Sequence, residues 1–107
     1  DLDRSVVKQY FKDFAHSVHV IDECKEALRY QRGWWKTGVM DSRVLFFLGK
    51  HGEHPATVYN RELTRVVELI ESLQRTSVTM DDKVRGVLLG LESWVHGARV
   101  TLKELSL

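Results

Sequence analysis

Apolar residues at Val7, Phe11, Phe14, Val18, Ile21, Cys24 and Leu28 recur at steps of three and four, with no proline or glycine between the first and the last. That spacing returns to one face of an α-helix at every turn, so the stretch reads as about seven turns of amphipathic helix. Lys8, Lys12, Asp13, Asp22, Glu23, Lys25, Glu26 and Arg29 fall mainly off the stripe and supply the solvated side. Asp3 suits the N-cap, and Gly33 is the expected end. A helix of this length cannot bury its stripe alone, so the rest of the chain must cover it.

Two further segments have the same period. Beyond the single proline, Pro55, which suits a first helical turn, Tyr59, Leu63, Val66, Ile70 and Leu73 form a second stripe. Thr79 and Asp82 resemble a capping box ahead of Met80, Val84, Val87, Leu91, Trp94, Ala98, Leu102 and Leu105, a third stripe with an expected break at Gly97. Between the first two lies Val44-Leu-Phe-Phe-Leu48, apolar and short enough for a strand. A lone strand would leave its backbone groups unpaired, so it is read as a short buried helix capped by Asp41 or Ser42 and ended by Gly49. The expected fold class is all-α, a single-domain helical bundle of three long helices and one short one.

At 107 residues and 43% hydrophobic, the chain suits one domain across residues 1–107. Its net charge of +1 comes from interspersed acids and bases, which favours neither nucleic acid nor anionic lipid. Cys24 is the only cysteine, so no internal disulfide and no multi-thiolate zinc site can form. No apolar run approaches the length of a membrane span and no signal-peptide pattern is present; a start at Asp1 suggests a domain excised from a longer protein. The compartment stays open.

The stretch 33–49 carries an unusual density of large apolar side chains: Trp34, Trp35, Val39, Met40, Phe46 and Phe47. Neighbours on a helix point about 100° apart, so Trp34 and Trp35 cannot easily share one buried face. Either both indoles close the end of the bundle across a bend at Gly33, or Trp34 stays at the surface as an anchor for a partner. Phe46 and Phe47 divide in the same way, between a central plug and an exposed patch.

Other candidates carry less chemistry. His51 and His54 form an H-x-x-H pair in a loop with Glu53, but the ligands that zinc needs are not at hand, and no metal or other cofactor is expected. His16, His19 and His96 read as surface or boundary residues, and Cys24 as a small hydrophobe on its stripe. No nucleophile elbow, P-loop or dinucleotide fingerprint occurs, so nothing argues for an enzyme. Arg29, Arg32 and Lys36 around Tyr30 could hold phosphates, but Glu23, Glu26 and Asp41 dilute them and nucleic acid is not the expected partner. Gly86 and Gly90 form a G-x-x-x-G step, read by default as packing within the chain and otherwise as dimerisation.

Trp35, then Val44 and Leu48, then Tyr59 at the start of the next helix resemble the tryptophan and tyrosine elements of the WY helical domains of secreted oomycete effectors. The likeness covers about a third of the chain; the adjacent tryptophans and the polar loop depart from it, and the last thirty residues have no counterpart. It implies a small helical effector that binds a host protein. The residues themselves favour a non-catalytic adaptor or scaffold that docks a partner's amphipathic helix or apolar peptide through Trp34, Trp35, Val39, Met40, Phe46 and Phe47. Self-association as a homodimer would hide the same residues, and a bundle that encloses a small molecule or lipid is the rival class.

Overall fold

The chain has more helix than it can close into a sphere, and its outline shows this. The computed structural model describes residues 4–37, 41–76 and 82–106, with the side chains of 4, 6, 7, 32–37, 76, 83 and 84 outside the description. Four helices follow in order: α1 (Arg4–Thr37), α2 (Ser42–His51), α3 (Pro55–Thr76) and α4 (Asp82–Ser106). The expected all-α bundle of three long helices and one short one is therefore the architecture. Its extents are 55 × 24 × 15 Å and its radius of gyration 16.6 Å, against about 13 Å for a compact domain of this length. At 1.5 Å per residue α1 alone is about 50 Å long and sets the long dimension.

Cross-helix contacts fix the topology. Ser17 meets Glu62 and Tyr10 meets Ser72, so α3 runs antiparallel to α1. Glu23 meets Lys50 while Tyr30 meets Arg43, so α2 also runs against α1. Tyr59 meets Ala98 and Gln74 meets Glu92, which sets α4 antiparallel to α3. The bundle is up-and-down, with a return arm broken into α2 and α3. The break is built locally. Gly52, at φ 70°, takes the left-handed conformation that suits glycine, and its N–H donates to the Leu48 carbonyl. His54 then caps α3: its carbonyl accepts from Thr57 and Val58 N–H and its ring Nδ1 from Ala56 N–H.

Two expected helix ends move and one expected break is bridged. α1 continues through Gly33 to Thr37, α2 through Gly49 to His51, and α4 through Gly97. Each mid-helix glycine costs about 1 kcal/mol, too little to end a helix whose neighbouring turns are held by packing. The Asp41 cap is as expected, its carboxylate accepting from Arg43 N–H at 2.8 Å. Thr79 and Met80 lie outside the described residues.

The core has two parts joined at Trp94. One gathers Val20, Ile21, Cys24, Ala27, Leu28, Phe47, Val58, Tyr59 and Leu63; the other gathers Val66, Ile70, Leu73, Leu88 and Val95. The α3 stripe is buried at every expected position, Tyr59, Leu63, Val66, Ile70 and Leu73. The α1 stripe is not: Phe11 is 50% exposed, and Tyr10, half-buried, reaches inward to Ser72 Oγ at 2.7 Å. Ser17 is buried where the sequence shows only a polar residue, because its hydroxyl donates to the buried Glu62 carboxylate at 3.0 Å. On α4, Leu88 and Val95 are buried while Val87 faces outward. The Tyr59 hydroxyl donates to the Ala98 carbonyl at 2.7 Å, and burial pushes its pKa up to about 12.

Gly86 and Gly90 do not serve packing within the chain: both are exposed, and a Cβ built on either would meet no atom within 4 Å. Gly90→Ala should therefore raise stability by about 1 kcal/mol through helix propensity alone, read as a higher urea midpoint. An unchanged midpoint would mean that the open side of α4 does not set its helical preference.

Candidate functional site

A groove of about 660 Å³ runs between α1 and α2. On α1, His19, Glu23, Glu26, Ala27 and Tyr30 recur at helical spacing; on α2, Arg43, Phe46, Phe47 and Lys50 do the same. Each set faces the groove because another side of its helix is pinned to the core, by Ile21, Cys24 and Leu28 on α1 and by Val44 on α2, with Phe47 at the boundary between core and groove. The floor is apolar, made by Ala27 and the inner edge of Phe47. The walls differ in charge: Glu23 and Glu26 line one, Arg43 and Lys50 the other.

Each end of the groove is tied. At one end the Glu23 carboxylate takes Lys50 Nζ at 3.0 Å and 3.1 Å on its two oxygens, with His19 Nε2 at 3.0 Å and His51 Nε2 at 3.2 Å. Burial pushes the Glu23 carboxyl up, but hydrogen bonds from Lys50 and His51, with the charge of both, outweigh it and hold the pKa below 4.5. The folded value is thus depressed. The stabilisation this gives is complete above the unfolded value near 4.5 and is lost as pH falls through the folded value. Glu23→Gln should lower stability at pH 7, and the difference from the wild type should narrow as pH falls below 4.5, read by urea unfolding across that range. A constant offset between them would contradict the tie. At the other end the Arg43 guanidinium lies 4.2 Å from the Tyr30 ring centroid, a cation–π contact.

The sequence-predicted site residues separate. Phe46 is 73% exposed on the rim, with Leu45 beside it also exposed. Phe47 is 4% exposed, packed in the core with the His51 ring 4.3 Å from its own, so what it adds to the groove is floor and not a projecting anchor. The helix they share buries Val44 and Phe47 and exposes Leu45 and Phe46, which corrects both the short buried helix and the central plug. Val39 and Met40 lie outside the described residues, as do the side chains of Trp34 and Trp35, whose backbone belongs to the last turns of α1. The charged walls, Glu23, Glu26, Arg43 and Lys50, were missed as a set. Their heptad-like spacing is legible, but only the packing of α1 on α2 brings them together.

The remaining candidates scatter. His51 goes to Glu23, His54 caps α3 and Glu53 pairs with Arg61 at 2.6 Å, so the H-x-x-H loop does not converge. Among the described residues no group of three or more His, Cys, Asp or Glu is placed to hold a metal. Cys24 is fully buried; burial first, then the charges of Glu23 and Glu62, pushes its thiol up to about 12. Tyr30, at the centre of the basic sequence group Arg29, Arg32 and Lys36, has one ring face taken by Arg43. Among the described residues no helix is long and apolar enough to cross a membrane. Comparison with known proteins brings no match among family models, curated proteins or solved structures.

Proposed function

We propose that this is a non-catalytic protein-interaction domain that receives a partner's amphipathic helix in the groove between α1 and α2. One observation carries the reading: Phe46, 73% exposed, stands on the rim of an apolar-floored groove whose opposite wall is another helix. An exposed aromatic of this size beside a preformed channel is the arrangement from which interface anchors are drawn. A groove of this kind takes an apolar stripe at i, i+3, i+4 and i+7, with the floor at Ala27 and Phe47 limiting its depth. The WY-type effector reading is a special case of the same activity, with a host protein as the partner.

A displayed library of amphipathic helical peptides supplies the test. Binders selected against the domain should lose affinity with Phe46→Lys and keep it with Leu89→Lys, a matched charge placed on the outer side of α4. Equal loss in both variants, or in neither, would overturn the reading.

A further inference from the structure

We infer that the partner helix is bipolar across its width, with basic residues along one flank of its apolar stripe and acidic residues along the other. This rests on the docking reading and names the chemistry of the occupant.

The groove has one acidic wall and one basic wall, and the ties across it do not spend all of that charge. Glu23 and Lys50 neutralise each other at one end. Glu26, exposed on the α1 wall, enters no ion pair among the described residues. The Arg43 guanidinium, exposed on the α2 wall, is stacked on Tyr30 and meets no carboxylate among the described residues; it presents N–H donors at its edges while its face covers the ring. Among the described residues, a carboxylate without a cation and a guanidinium without a carboxylate thus flank the same channel on opposite sides, with Phe46 one turn from Arg43 along α2. An incoming helix lies with its apolar stripe against Phe46 and the floor, and its two flanks pass over walls of opposite sign. Uniformly acidic or uniformly basic flanks would set one like-charge contact against each attractive one, whereas a bipolar helix satisfies both. The direction in which that helix runs decides which flank is basic, so the width pattern, and not the order along the peptide, is what the groove selects.

Four synthetic helical peptides with one shared apolar stripe test this: lysine on one flank and glutamate on the other, lysine on both, glutamate on both, and glutamine on both. Affinity for the wild-type domain should be highest for the bipolar peptide, by about fivefold over either uniform one, the scale of one or two partly exposed ion pairs. With Glu23 and Lys50 paired to each other, Glu26→Lys leaves unpaired basic charge on both walls and should move the preference to the glutamate peptide; Arg43→Glu leaves unpaired acidic charge on both and should move it to the lysine peptide. Circular dichroism checks that each variant keeps its fold. If Phe46→Lys abolishes binding but the ranking of peptides is the same in all three backgrounds, the charge inference is wrong and the docking reading stands. If none of the four binds, or if Phe46→Lys leaves binding intact, the docking reading fails and the inference falls with it.

Discussion

Truncation of Ile21 to alanine is expected to destabilise the domain by about 2–5 kcal/mol, while Phe11→Ala should cost only about 1 kcal/mol. Both residues occupy the same apolar stripe of the sequence, and a reading from periodicity alone would make them equivalent. They differ in what surrounds them. Ile21 has no exposed surface and packs where α1 crosses α3, among Cys24, Val58 and Leu63, so its loss leaves a cavity that rigid neighbouring helices cannot fill. Phe11 is 50% exposed and already half in water. Urea unfolding followed by circular dichroism measures both; comparable losses in the two variants would place the α1 stripe differently from the structure.

Phe46→Ala is expected to separate folding from binding. The side chain is 73% exposed, so its removal should leave the unfolding midpoint nearly unchanged. As the anchor of a docked helix it should cost at least about 2 kcal/mol of binding free energy, roughly a thirtyfold loss of affinity. Phe47→Ala should do the reverse, destabilising the fold first, because its ring is 4% exposed and is part of the core. Calorimetric titration of a selected peptide into each variant, paired with its unfolding curve, reads the contrast. A Phe46→Ala protein that binds as well as the wild type would remove the anchor.

The apolar stripe of α3 was legible in the sequence because Tyr59, Leu63, Val66, Ile70 and Leu73 keep the helical period without interruption, whereas the buried Glu62 and the half-buried Ser72 of the same helix were not. The inner face of α1 was only partly legible, since two of its inward positions are Tyr10 and Ser17, whose hydroxyls are paired by Ser72 and Glu62 on another helix. Polarity hides a core position whenever the partner is distant in sequence. Glycine misled in the same way: Gly33, Gly49 and Gly97 carry a local penalty that helical continuity overrides, whereas Gly52 ends α2 because the chain there turns left-handed. Within the site, the pair Phe46 and Phe47 was found, but its division into rim and core depends on the phase that the Asp41 cap and the burial of Val44 impose on α2. The charged walls could be assembled only once α1 and α2 were known to lie antiparallel.

The central claim is that the α1–α2 groove, and no other face, is the docking surface. Amide chemical-shift mapping on the labelled domain, titrated with the bipolar peptide, tests it most directly. The expected shifts fall on residues 23–30 of α1 and 42–50 of α2, the two walls of the groove. Shifts centred on the outer side of α4, at Gly86, Leu89, Gly90 and Val100, with the groove amides unmoved, would contradict it.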